Sequence, residues 1–183
     1  MKSVVYLRPL RADDAKISYK WRNDPEVWKF TGSRPDRYIT YEIEKEWLNF
    51  TLEKKSERRF AICLKKGDRY IGNTQLLGIR RKSASFHLFI GDRRYWGKGI
   101  GKEASFLILQ YAFSELKLQQ VALEVHKENI PAISIYKSMG FEYVDENNNF
   151  LVMILKKARF SKLWLAADRT SAVIEPADDF QPA

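Results

Sequence analysis

Short apolar alternations and longer amphipathic stretches take turns along the 183 residues of this chain. Residues 4–7 alternate into Arg8-Pro9-Leu10, a first strand that proline ends. Asp13 or Asp14 can cap a helix running to about Arg22, with Ile17 and Trp21 on one face. Asn23-Asp24-Pro25 breaks that helix. Residues 26–30 are short and aromatic, and 31–36 form a loop by composition. Thr40 caps a second helix carrying Ile43, Trp47 and Phe50 at helical spacing. Residues 59–64 and 70–77 flank Lys66-Gly67-Asp68 and predict a hairpin. Residues 78–83 are basic and loop-like, and 85–90 form the next strand.

The second half is more regular. Ala104, Leu107, Ile108, Tyr111 and Ala112 follow the spacing of a helix with one buried face. Residues 120–126 form a further strand. Asn129 precedes a short helix with Pro131 in its first turn, where a missing N–H does no harm. That helix carries Ala132, Ile135, Tyr136 and Met139 as its stripe, and Gly140 suits the position just past its end. Residues 141–144 and 150–155 flank an Asp-Glu-Asn-Asn-Asn run and predict a closing hairpin. The reading is one α/β (α+β) domain over residues 1–157, followed by a tail, 158–183, helical near 160–167.

The stretch 91–104, Gly-Asp-Arg-Arg-Tyr-Trp-Gly-Lys-Gly-Ile-Gly-Lys-Glu-Ala, joins a strand to a helix through three alternate glycines, Gly97, Gly99 and Gly101. Glycine backbone bends into strained dihedrals and can lie close to a ligand. The first N–H groups of a helix have no intrahelical partner and favour negative charge. Strand, glycine turn and helix start together suit a phosphate group. The spacing is neither that of a P-loop nor the dinucleotide fingerprint. A turn that merely lets strand and helix pack closely is the competing reading.

Bulk properties narrow the field. The net charge of +9 favours polyanionic partners such as a phosphate-rich cofactor. No RNA-binding aromatic signature or zinc motif accompanies it, so direct nucleic-acid binding is not expected. No apolar run reaches the roughly 18 residues of a membrane span. The single cysteine, Cys63, forms no internal disulfide, fits a reducing cytoplasm, and lies in a strand as a small buried side chain. His87 and His126 form no ligand cluster with it, so no metal site is expected.

The pattern Arg94-x-x-Gly97-x-Gly99-x-Gly101, followed by Asn129, Tyr136 and Gly140-Phe141, resembles the acetyl-CoA loop and downstream signature of the GNAT superfamily of N-acetyltransferases. Leu7-Arg8-Pro9-Leu10 and residues 21–27, Trp-Arg-Asn-Asp-Pro-Glu-Val, resemble its branch of ribosomal-protein alanine, spermidine and amino-sugar acetyltransferases. The resemblance implies a mixed, mostly antiparallel sheet that splays between two central parallel strands, 85–90 and 120–126. It implies acetyl-CoA as cosubstrate, with the pantetheine arm along Leu88, Phe89 and Ile90. The diphosphate would lie on the backbone of Trp96, Gly97, Lys98, Gly99, Ile100, Gly101 and Lys102.

Acetyl transfer to an amine needs a neutral acceptor, a polarised and aligned thioester, and a proton for the leaving thiolate. By resemblance Tyr136 faces the sulfur, and a phenol of pKa near 10 holds a proton at neutral pH; its position also fits simple packing. Asn129 holds the pantetheine arm, caps its helix, or does both. Related enzymes carry an acid where this chain has Ser85, so the base is open among His87 on the same strand face, Glu124 on the neighbouring strand, and a water chain. Arg93, Arg94, Lys98 and Lys102 surround the loop and either meet phosphates or form a solvated basic face. Acceptor specificity falls to residues 21–41 and the final hairpin; Trp21 is read as core, and Trp28, Phe30 and Tyr38 either line an aromatic wall or join the core. The acceptor is a protein N-terminus, polyamine, amino sugar or aminoglycoside, and the charge of +9 disfavours a polyamine unless Glu42, Glu44 and Glu46 form an acidic pocket. A monomer or homodimer is expected. A regulatory acyl-CoA binder without turnover, or a nucleic-acid-binding module, is the alternative.

Overall fold

The computed structural model describes residues 3–31 and 35–165. Seven strands form one sheet in the order β1-β2-β3-β4-β5-β7-β6. They are β1 (Val5–Pro9), β2 (Arg58–Leu64), β3 (Arg69–Arg80), β4 (Ser83–Ile90), β5 (Gln120–His126), β6 (Glu142–Asn147) and β7 (Phe150–Lys156). Every neighbouring pair is antiparallel except β4 and β5, which are parallel.

That exception creates the opening. β4 pairs with β5 only at Ser83↔Gln120, Ala84↔Val121 and Ser85↔Ala122. Beyond Ser85, β4 stays paired with β3 as far as Ile90, and β5 stays paired with β7 as far as His126. The two strands therefore part, and residues 86–90 have a backbone edge without a strand beside it on the β5 side. The expected splay is present.

Each sheet face has its own cover. Val5, Leu7, Phe60, Ile62, Phe86, Val121 and Met153 belong to a large core beneath α4 (Ile100–Ser114) and α5 (Ile130–Met139). The side chain of Asn129 accepts the Ala132 N–H at 3.3 Å to start α5, and Gly140, at φ +100°, ends it. The opposite face of β1–β3 carries Tyr6, Ala61, Cys63 and Tyr70 against Trp21 and Leu48. Those two side chains come from α1 (Ala15–Arg22) and α3 (Tyr41–Leu52), with the single turn α2 (Pro25–Trp28) between them.

Several expectations shift in detail. In α1 the buried positions are Ala15, Ser18 and Trp21, while Ile17 is 41% exposed. In α3 they are Glu44, Leu48 and Thr51, while Phe50 is 65% exposed. The cause is polar: Ser18 donates to Glu44 at 2.7 Å, which turns both helices about that contact. The expected basic loop at 78–83 is instead strand up to a tight turn, with Arg81 at φ +46° and Lys82 at φ +64°. Past β7 the chain continues into α6 (Lys157–Phe160) and a π-helical turn (Ser161–Leu165). Phe160 lies buried against Phe106 and Phe113. The rest of the expected tail, from 166 on, lies outside the described residues.

Candidate active site

The loop that leaves β4 is fixed before it reaches its glycines. The N–H groups of Gly91 and Asp92 both donate to the Ile71 carbonyl, at 2.9 and 3.0 Å. Asp92 accepts from the N–H and Nε of Arg94 at 3.2 and 2.9 Å, and Arg94 holds its carboxyl below the usual range. Arg93 ties the turn to Asp24 at 3.0 Å. The Trp96 indole donates to the Ile90 carbonyl at 2.7 Å and the Trp96 N–H to Arg93 at 3.0 Å.

Beyond Trp96 the backbone opens. Gly97 and Gly99 adopt φ of +70° and +78°, and Gly99 is the N-cap of α4. The first intrahelical bond is Glu103 N–H to Gly99 C=O at 3.1 Å. Among the described residues no acceptor takes the N–H groups from Gly97 to Lys102. That fan of donors at a helix start suits a diphosphate. It begins one residue later than expected, since the Trp96 N–H is already bonded. Gly101 is helical, and a Cβ there would make ordinary contacts with Ile135 at 3.4 Å and Leu88 at 3.9 Å.

The surrounding cations divide. Arg93 and Arg94 line a recess of about 670 Å³ with Lys20, Trp21 and Tyr70, closed on Asp24 at 3.0 Å and Asp92 at 2.6 Å. Lys98 lies over the Tyr95 ring at 5.5 Å and Lys102 over Trp164 at 5.9 Å, and neither forms an ion pair among the described residues.

Tyr136 lies on α5 beneath β4, 5.8 Å from the Phe86 ring and 5.8 Å from that of Phe141. It is 8% exposed, and burial pushes the phenol up to about 12. Its hydroxyl bonds to no group among the described residues. Leu88 and Ile90 pack toward the same core, while Phe89 turns to the other face beside Trp21 and Trp28, both at 6.2 Å.

On that other face the register builds a row. Arg59 pairs with Gln75, and Gln75 pairs with His87. Cross-strand partners share a face. Two residues past the Ser85↔Ala122 pair, His87 and Glu124 stand level on the two sides of the gap. The His87 ring is open to solvent, yet enclosure by the sheet and the Arg59 guanidinium hold its pKa below the ordinary histidine value; Glu124 and Glu57 act the other way. The structure thus brings His87 and Glu124 to the gap from one face and Tyr136 from beneath.

Arg59 and Gln75 carry no local mark of their place in this row, because strand register has no local signal. Trp21 lies in the core, as expected. Trp28 carries Arg22 at 4.6 Å, Phe30 lies 5.5 Å from His126, and Tyr38 stands 67% exposed. Glu42, Glu44 and Glu46 do not form the acidic pocket that would favour a polyamine, because Glu44 is 2% exposed and closed on Ser18 and on Arg22 at 3.5 Å. No helix among the described residues is long and apolar enough to cross a membrane, and no group of three potential metal-binding side chains gathers there.

Comparison with known proteins places this geometry. Residues 5–142 match the family model described as an acetyltransferase (GNAT) domain. A probable N-acetyltransferase of Bacillus subtilis, YjcK, is 34% identical over 145 residues, covering 75% of this chain and 80% of that protein. The spermidine N-acetyltransferase of Vibrio cholerae, solved with CoA and spermine, superposes with a TM-score of 0.78 at 23% identity, covering 87% of this chain and 99% of the other. The nucleotide-linked sugar GNAT FdhC, solved without ligand, gives 0.77 at 20% identity, covering 89% and 92%.

Proposed function

Because the chain belongs to the GNAT acetyltransferase family, it is an N-acetyltransferase, and we propose how its site works and what class of amine it takes. The single observation that carries the reading is the parting of β4 from β5 after Ser85 and Ala122, directly below the open donors of Gly97 to Lys102. Acetyl-CoA, bound there, supplies the acetyl group as a thioester. The N–H fan holds its diphosphate, with Lys98 and Lys102 adding charge. The unpaired edge of residues 86–90 lies along its arm, and the amide of Asn129 is left to it once Oδ1 has capped α5.

The acceptor enters from the face that carries His87. A neutral imidazole takes a proton from the incoming ammonium, and Glu124 across the gap steadies the positive charge. The lowered pKa of His87 suits that task at neutral pH. Tyr136, whose phenol stays protonated, holds the proton that the departing sulfur needs.

The acceptor is a primary amine on a neutral or anionic ring compound, of the amino-sugar class, rather than a polyamine. Arg22 and Arg59 flank the Trp47 ring at 5.1 and 5.2 Å on the acceptor side. Their acids are already paired with them, so a polycation finds little uncompensated negative charge. Phe30, His126 and Phe150 form an aromatic line, at 5.5 and 5.3 Å, suited to a sugar ring.

Thiol release from acetyl-CoA over a panel of amines tests this. Free and nucleotide-linked amino sugars should turn over, and spermidine and peptide N-termini should not. Preference for spermidine would overturn the acceptor class, and cofactor binding without turnover on any amine would leave a regulatory binder.

A further inference from the structure

Arg59 is spent on nothing that the reaction above uses, yet it is firmly held on the acceptor face. It is 9% exposed. Its Nε and Nη2 donate to one oxygen of Glu57 at 2.8 and 2.6 Å, its Nη1 donates to the Gln75 side chain, and its plane lies 5.2 Å from the Trp47 ring. Four fixed contacts leave the guanidinium one geometry. That geometry is aimed along the row: Gln75 lies between Arg59 on β2 and His87 on β4. Adjacent strands are about 4.8 Å apart, so the charge stands about two strand spacings from the imidazole.

We infer that Arg59, anchored by Glu57, is a positioning residue for the transfer: it keeps the His87 imidazole in its neutral, proton-accepting form. This rests on the reading of His87 as the base. The charged groups that face His87 are few. Arg59 comes from β2 and Glu57 from the turn before it, β3 contributes the uncharged Gln75, and β5 contributes Glu124. From the covering helices, Arg22 and Glu44 are closed on each other. A buried charge is screened by salt much less than an exposed one, so the influence of Arg59 persists at physiological ionic strength. Enclosure by the sheet is the larger influence on His87 and is kept in every variant, so the neighbouring charge is the contribution that a substitution can remove without unpacking the site.

A purely structural clamp would hold β2, β3 and α3 together and leave the titration of His87 alone. The two roles separate by sign. Arg59→Gln removes a positive charge and should move the His87 titration to higher pH. Glu57→Gln removes the opposing negative charge and should move it lower. Arg59→Lys keeps the charge and should leave it near wild type.

This chain has two histidines, so their ring Cε1–H resonances can be followed by NMR, with His126 as internal control. The acid limb of kcat/KM should shift with His87, up for Arg59→Gln and down for Glu57→Gln. If Arg59→Gln does not fold, the other two variants still report. An unmoved His87 titration in Glu57→Gln, or a shift of the same sign in both charge-removing variants, overturns the inference. If the titration moves as stated while the acid limb stays fixed, the action of Arg59 on His87 stands and the base assignment of His87 falls.

Discussion

The indole of Trp21 lies so close to the backbone of Gly91 that a Cβ there would stand 2.0 Å from Trp21 Cδ2. No real Cβ contact is that short. Trp21 itself is wedged at 4.7 Å from the Tyr70 ring, so α1 docks on the residue at which β4 gives way to the cofactor loop. Gly91→Ala should therefore force Trp21 or the loop to move, at about 1–3 kcal/mol. The expected result is a lower Tm together with a raised KM for acetyl-CoA. A variant with wild-type melting and affinity would show that this contact does not set the loop.

That contact also marks what could be read from the chain alone. The glycine loop announced itself because Gly97 and Gly99 need positive φ, a local property. Gly91 needs its missing Cβ for a side chain 70 positions earlier, which leaves no local mark. The strand–helix order was legible because it rests on periodicity. The inner faces of α1 and α3 were not, because Ser18 and Glu44 satisfy each other in the interface and so displace Ile17 and Phe50 outward. The β3–β4 turn escaped notice because Arg81 and Lys82 take the positive φ that Asn or Gly usually supplies. Tyr136 and His87 were visible as candidates. The row that links His87 to Arg59 was not, since it exists only through pairing register.

Gly99 separates backbone need from crowding. Apart from Gly99 and its two chain neighbours, no atom of the described residues lies within 4 Å of a Cβ built there, and its φ is +78°. Gly99→Ala should cost about 1–2 kcal/mol through the left-handed backbone alone, so the fold survives. The N–H fan would turn out of line, and the added methyl would face the ligand. CoA affinity measured by calorimetry should fall at least about tenfold, a loss of roughly 1.4 kcal/mol. Gly99→Asn, which tolerates this conformation better, should bind more tightly than the alanine variant. Undiminished affinity in Gly99→Ala would remove the loop from diphosphate binding.

Glu44 predicts a pH-dependent stability. Burial raises its carboxyl above the ordinary 4.5, outweighing the Ser18 hydrogen bond and the Arg22 charge. A raised folded value means that the folded state binds the proton more tightly. The resulting stabilisation is fully present below the unfolded value of 4.5 and is lost as pH rises through the folded one. Glu44→Gln mimics the protonated form and should lie within about 1 kcal/mol of wild type at pH 7. On acidification from 7 toward 4.5 the wild type should gain relative to the variant. Paired urea denaturation at several pH values checks this. A relative loss for the wild type would mean that Arg22, not burial, governs the carboxyl.

Tyr136 carries the sharpest kinetic expectation. Its ring packs on Phe86 and Phe141 while its hydroxyl bonds to nothing among the described residues, so Tyr136→Phe should keep the Tm and the affinity for CoA. Loss of the proton donor should lower kcat by about 10²-fold or more. The pH profile has a definite sign. A phenol gives its proton only while protonated, and burial pushes this one up to about 12. The wild-type kcat should therefore show no alkaline decline from Tyr136 between pH 8 and about 10, the ordinary phenol range, while the acid limb follows His87. A falling kcat near pH 9 that disappears in Tyr136→Phe would mean that the phenol ionises in the ordinary range and that burial does not control it. A wild-type rate in the variant would mean that the thiolate, with a thiol pKa near 8.5, leaves without help from the protein, and the acid role of Tyr136 would be withdrawn.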